Sequence, residues 1–135
     1  MTDPKIALLG LLEENWALDF EPKFSTDWYE AGERLPQVVV SQVLTRPRYL
    51  GFSEDHPAAR RRFDGVYAVD VWSKGDQEKR YRMIQEVDRI IHSRCDEPGV
   101  GLEFVETSSW RDIDEGDVHP RLYRSRLHVE VLYYA

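Results

Sequence analysis

Residues 122–134 read LYRSRLHVEVLYY, and they give the clearest strand pattern in the chain. Apolar and polar side chains alternate along it, which is typical of a β-strand with one buried face. The apolar positions are Tyr123, Leu127, Val129, Val131 and Tyr133. The polar positions are Arg124, Arg126, His128 and Glu130. We therefore expect a sheet whose one face meets helices and whose other face meets solvent or a partner protein.

Three further strands are expected upstream of this one. Residues 63–73 are largely apolar on both faces, which predicts a strand in the middle of the sheet. The β-branched run 37–45, bounded by Pro36 and Pro47, predicts a second strand, and residues 102–110 predict a third. The segments 19–36, 46–62 and 111–120 are expected to be connections.

Two helices complete the pattern. Asp3-Pro4 and Gly75-Asp76 are helix-start signals, because Asp caps a helix and Pro fits its first turn. The second helix should end near Arg94–Cys95, ahead of Pro98-Gly99. The apolar stripe of the first helix is predicted to be Ile6, Leu8, Leu9, Leu12 and Trp16. That of the second is Met83, Ile84, Val87, Ile90 and Ile91, with Arg80, Arg82, Glu86 and Asp88 facing outward.

The order of elements is α-β-β-α-β-β. It predicts an α+β fold, a mainly antiparallel four-stranded sheet with two helices packed on one face. A chain of 135 residues is enough for a single domain spanning residues 1–135.

Composition excludes several classes of function. The chain has 25 acidic and 18 basic side chains, so its net charge of −7 disfavours wrapping nucleic acid. One cysteine, Cys95, leaves no internal disulfide and no cysteine-based zinc site. No apolar run is long enough to span a membrane, and no secretory signal is visible. We expect a soluble protein made inside the cell, with no membrane partner.

The sequence shows no catalytic, cofactor-binding or metal-binding set. The acidic turn 112–119 lacks the EF-hand register, since Gly116 is its fifth residue and Tyr123 stands where Glu is needed. An opportunistic divalent ion at this turn stays open as an alternative. The four histidines show no zinc-ligand spacing, and no nucleophile or phosphate-binding motif occurs.

Basic residues are concentrated in the middle of the chain, in an otherwise acidic protein. The connection 46–62 holds Arg46, Arg48, Arg60, Arg61 and Arg62. It is either a solvated loop or a contact surface for an acidic neighbouring subunit or for passing DNA. Together with the polar face of the last strand, it gives the predicted subunit or partner interface. The members are Arg46, Arg48, Arg60, Arg61, Arg62, Arg124, Arg126 and His128.

The layout resembles a known family. The stretches that carry the resemblance are LPQVVV at 35–40, VYAVDVW at 66–72, the Arg- and Glu-rich second helix and the arginine-flanked strand 124–133. They follow a short N-terminal helix, as in the tail terminators (tail-completion, head–tail joining proteins) of long-tailed phages and archaeal tailed viruses. The resemblance implies a non-enzymatic virion protein, made in the host cytoplasm, that forms a hexameric ring on the tail tube. Its implied partners are further copies of itself, the tail tube protein and a head-connector or neck protein. DNA would pass through the lumen without specific binding.

Two other functions stay open on the sequence. One is a small acidic adaptor, antitoxin-like or immunity-like, acting in a 1:1 complex or a dimer. The other is an enzyme with a dispersed active site. A concave pocket with converging polar groups would indicate the enzyme, and one dominant patch the adaptor. Two separate patches on opposite flanks would indicate the ring protein.

Overall fold

Two helices and one mixed sheet make up the described part of the computed structural model, residues 3–30, 34–48, 61–113 and 122–135. In chain order the elements are α1 (Pro4–Asn15), β1 (Lys23–Thr26), β2 (Gln37–Arg48), β3 (Arg62–Lys74), α2 (Gln77–Ser93), β4 (Phe104–Ile113) and β5 (Leu122–Tyr134). The α+β class and the two helices are confirmed.

The sheet has five strands in the order β1-β2-β3-β5-β4, so the predicted four-stranded sheet and its element order are wrong in detail. β3 lies in the centre, as its two apolar faces predict. The additional strand, β1, runs parallel to β2 inside the predicted connection 19–36. β1 has four residues, all half-buried, so it carries no alternation that a sequence pattern could detect. Its position depends on non-local bonds, such as Lys23 N–H to Pro36 O at 2.9 Å.

Strands β2, β3 and β4 also extend into segments predicted to be connections. Arg46 pairs with Asp64 and Arg48 with Arg62, so the ends of the predicted connection 46–62 are strands. β4 continues through Ile113 rather than ending at residue 110. Pro47 is tolerated in β2 because β1 pairs only with residues 37–40, which leaves one side of β2 without a ladder partner there.

The core lies between the helices and one face of the sheet. The predicted stripe of α2 is confirmed, since all five of its apolar residues are buried. On α1 the buried residues are Ala7, Leu8, Leu11 and Leu12. Ile6 was predicted to be in the core, and it is 55% exposed. Leu, Ile and Ala surround most of α1, so periodicity alone does not identify its buried face.

The caps of both helices agree with the sequence. Asp3 accepts a hydrogen bond from Lys5 N–H at 2.9 Å, and Asp76 accepts one from Lys79 N–H at 3.0 Å. Each carboxylate thus satisfies a backbone donor that the first turn of a helix leaves without a partner.

Glu86 on α2 does not face outward as the sequence predicts, because it is only 6% exposed. Its carboxylate accepts hydrogen bonds from Arg89 Nε at 2.7 Å and from Ala17 N–H at 2.6 Å. Ala17 lies just after Asn15, the last residue of α1. Glu86 therefore connects α2 to the segment that follows α1. The hydrogen bonds from these donors offset the free-energy cost of burying the carboxylate.

Candidate interaction surface

We call the face of the sheet turned away from the helices the outer face. It contains most of the residues of the predicted interface. Residues paired across strands project from the same face of a sheet. The register joins Trp72 to Arg124, Asp70 to Arg126 and Ala68 to His128. The predicted residues that lie on this face are Arg46, Arg48, Arg62, Arg124, Arg126 and His128. The sequence predicts that three of them lie in a loop, and strand pairing brings these three onto the same face as the others.

The two remaining predicted residues are not part of this surface as described. Arg61 precedes β3, and its guanidinium carbon lies 5.7 Å from the centroid of the Phe63 ring. Phe63 packs against the core on the helix side of the sheet, so Arg61 is turned away from the outer face. Arg60 lies outside the described residues, as does most of the acidic turn 112–119.

An arginine patch occupies the half of the outer face near the start of β5. We define it as Arg111, Arg124 and Arg126, with Asp70 beneath them. Asp70 accepts two hydrogen bonds from Arg126, at 2.8 and 3.0 Å, and one from Arg124 at 2.7 Å. The Asp70 side chain is 9% exposed, whereas those of Arg124 and Arg126 are 18% and 29% exposed. One buried carboxylate thus holds two guanidiniums in place at the surface.

Aromatic side chains fix the position of Arg124 further. Its guanidinium carbon lies 4.7 Å from the ring centroid of Trp72, within the range of a cation–π contact. Tyr29, on the chain after β1, stacks on Trp72 with ring centroids 4.3 Å apart. Arg124 and Arg126 are therefore held in place by neighbouring groups, and these two side chains lose little conformational freedom when they bind a ligand.

Arg111 is the member of the patch that sequence reasoning missed. The sequence predicts Arg111 in the polar turn 111–120, but it lies on β4 directly across from Arg126. Arg111 is exposed, and no ion pair joins it to another described residue. Only the bulge between Thr107 and Ser109 brings its side chain to the outer face. A strict alternation continued from β4 would have placed it on the helix side, so no local signal could have identified it.

A second cluster lines a groove of about 420 Å³ at the other end of the outer face. Arg48 and Arg62 both bind the Asp64 carboxylate, with Nε–oxygen distances of 2.8 and 3.0 Å. Burial alone would raise the pKa of Asp64, but hydrogen bonds from Arg62 and Arg48 outweigh it and lower that pKa below its usual value. Arg46 and Leu44 complete the rim of the groove.

Charge is distributed unequally between the two layers. On β2 to β5 the outer face carries six arginines, one lysine and four carboxylates, an excess of three positive charges. On the helix layer, the ends of the two helices meet where Arg94 donates to the Asn15 side-chain oxygen at 3.1 Å. Four exposed carboxylates flank this contact along the chain, and we call them the acidic helix surface. They are Glu13, Glu14, Asp96 and Glu97.

The arginines of the outer face are suited to binding carboxylates. Guanidiniums offer planar N–H donors that match carboxylates and do not titrate near neutral pH. Across residues 3–30, 34–48, 61–113 and 122–135, no group of three or more His, Cys, Asp and Glu side chains could hold a metal ion. Neither of the described helices is long and apolar enough to cross a membrane. Comparison with models of known protein families gives no match, and no curated protein matches the chain in sequence.

Proposed function

We propose that this chain is a structural virion protein, a tail terminator that assembles as a hexameric ring at the head-proximal end of a tail tube. There it ends tail polymerisation and joins the tail to the head connector. Its partners are further copies of itself, the tail tube protein and a head-connector or neck protein. The chain acts in this role without a catalytic residue, a cofactor or a metal ion.

The observation that carries the proposal is the presence of two unlike charged surfaces on opposite layers. The outer face has an excess of positive charge, whereas the acidic helix surface lies on the other side of the sheet. A ring is built from heterologous contacts, in which one surface of a subunit meets a different surface of the next. Two complementary patches on opposite sides of the subunit satisfy this requirement.

The overall charge agrees with a ring through which DNA passes. Affinity for DNA rises with the number of phosphates that basic side chains neutralise. A subunit with a net charge of −7 does not grip the phosphates along its whole surface. The DNA can therefore slide through the lumen without specific binding.

The first test is the absolute mass in solution, measured by light scattering behind a sizing column at two salt concentrations. We expect a species of six times the chain mass of 15.9 kDa, forming as the protein concentration rises. Electron microscopy should show this species as a ring with a central hole. Higher salt should weaken it, because the contacts are between charged surfaces.

A second test addresses the role itself. Added to a polymerising cognate tail tube protein, the ring should stop elongation at about one ring per tube tip. Tubes that elongate equally well with and without the protein would contradict the role of terminator. A strict monomer or dimer that binds one other protein in a 1:1 complex would favour the adaptor function instead.

A further inference from the structure

We propose that the arginine patch of one subunit binds the acidic helix surface of the next copy of the chain. This pairing rests on the ring proposed above and names the surfaces that build it. The patch is Arg111, Arg124 and Arg126, and the acidic helix surface is Glu13, Glu14, Asp96 and Glu97.

Arg126 and Arg111 have N–H donors that are available to bind a ligand. Arg126 uses Nε and one terminal nitrogen on Asp70, and its other terminal nitrogen has no hydrogen-bond partner among the described residues. Arg111 is exposed beside it, with its guanidinium in no ion pair with the described residues. A guanidinium fork of this kind binds a carboxylate through two parallel hydrogen bonds. Asp70 already orients the Arg126 side chain in the folded protein. Binding a ligand therefore costs this side chain little further conformational entropy.

The surroundings favour a carboxylate-bearing protein over a nucleic acid. Glu106 and Glu130 lie on the same face, paired across β4 and β5. These carboxylates would repel a continuous row of phosphates, but they leave room for a protein surface with carboxylates at discrete positions. The half-buried aromatic ring of Tyr29 beside the patch also suits a protein interface, where Tyr and Arg are enriched.

The chain itself supplies a matching surface. Glu13 and Glu14 are exposed in the last turn of α1, and no described residue pairs with either of them. Negative charge at the C-terminal end of a helix is unfavourable, because the helix dipole is negative there. A neighbouring arginine patch would relieve this repulsion. Asp96 and Glu97 are exposed just beyond α2, and they follow Arg94, which contacts Asn15 at the end of α1.

The placement of the two surfaces favours a ring over a two-fold dimer. In a two-fold dimer each surface must meet its complement within one interface, so both must lie on the same side of the subunit. Here the patch lies on the outer face and the acidic helix surface lies on the helix layer. Each subunit can therefore bind one neighbour on each side, which is the heterologous contact that a ring requires.

Charge reversal tests the pairing in the full chain. Arg111→Glu reverses an exposed member of the patch and leaves the buried Asp70 contacts in place. The double substitution Glu13→Lys with Glu14→Lys reverses the acidic helix surface and agrees better with the helix dipole, so α1 should be retained. Each change should lower the association constant about tenfold, measured by light scattering against protein concentration. Combining all three substitutions should restore assembly, because complementary charges then meet again.

The matched control is Arg94→Glu, which alters the net charge as much as Arg111→Glu but adds to the acidic helix surface. Assembly of this variant should equal or exceed that of the wild type. If the ring forms and neither reversal weakens it, the pairing is wrong and the proposed ring stands. If the wild type shows no self-association at any concentration, the pairing fails, and the tube-elongation test decides the proposed function separately. A labelled DNA duplex that bound the wild type and not Arg111→Glu would overturn the choice of a protein partner.

Discussion

The carboxylate of Asp70, on the central strand, holds the guanidinium of Arg126, on the neighbouring strand, through two hydrogen bonds of 2.8 and 3.0 Å. The same carboxylate accepts a third bond from Arg124. The hydrogen bond and the charge of Asp70 also raise the pKa of Arg126, the hydrogen bond being the larger effect. The positions of Arg124 and Arg126 therefore depend on one buried acid. The contribution of this acid can be measured as a change in the free energy of unfolding.

Asp70→Asn should lower the free energy of unfolding by roughly 2–4 kcal/mol, because two partly buried guanidiniums lose their counter-charge. The measurement is urea denaturation followed by circular dichroism. The control is Asp27→Asn, which removes an ion pair with Lys5 at 3.0 Å in which the Asp27 side chain is 39% exposed. A surface pair contributes only about 0–1 kcal/mol. Equal losses in the two variants would contradict the structural role of Asp70.

Glu86 should make stability depend on pH in the acidic range. Hydrogen bonds from Arg89 are the largest effect on the pKa of Glu86; burial opposes them, the Ala17 N–H adds to them, and the pKa falls below its ordinary value of 4.5. A carboxyl whose pKa is lower in the folded state stabilises the fold above its unfolded pKa. That contribution is lost as the pH falls through the folded pKa.

Glu86→Gln is the variant that tests this. At neutral pH it should cost roughly 1–3 kcal/mol, the contribution of hydrogen bonds to a charged group. The difference from the wild type should be constant above about pH 5 and shrink as the pH falls below the ordinary pKa. Urea titrations at several pH values measure it. A difference that is the same at all pH values would show that the ionised carboxylate contributes nothing.

Leu12 and Ile6 of α1 should respond differently to truncation. Leu12 is fully buried in the core, so Leu12→Ala should cost roughly 2–5 kcal/mol through lost burial and the cavity left behind. Ile6→Ala, at an exposed position, should change stability by less than about 0.5 kcal/mol. Denaturation curves of the two variants compare them directly. A larger loss for Ile6→Ala would mean that α1 presents its other face to the core.

Two glycines should respond in opposite directions to replacement by alanine. A Cβ atom on Gly65 would lie 2.7 Å from Cε2 of Tyr67, and Tyr67 is buried and cannot easily move away. Gly65→Ala should therefore cost roughly 1–3 kcal/mol, as overpacking does. Gly10 lies within α1 and a Cβ there meets nothing within 4 Å, so Gly10→Ala should stabilise by about 0.5–1 kcal/mol. Thermal unfolding of both variants measures the difference, and a stabilised Gly65→Ala would contradict the close contact with Tyr67.

Local sequence patterns predict the parts of this protein that repeat with a short period. The stripe on α2, the alternation of β5 and the aspartate caps at residues 3 and 76 follow from neighbouring residues, and the structure agrees with all of them. A helix or strand with one apolar face has only one way to bury it. For the same reason the sequence predicts that Arg124, Arg126 and His128 share a polar face.

The residues that join this polar face are set by contacts between distant parts of the chain. β1 carries no period and is defined by its bonds to β2, and a bulge in β4 brings Arg111 beside Arg126. The burial of Asp70 beneath two arginines likewise depends on residues more than fifty positions apart in the chain. Register between distant strands comes from the sum of many cross-strand contacts, and no local pattern contains that sum. The sequence therefore predicts which side chains share a face of each strand. It does not predict which side chains of different strands lie next to each other on the assembled surface.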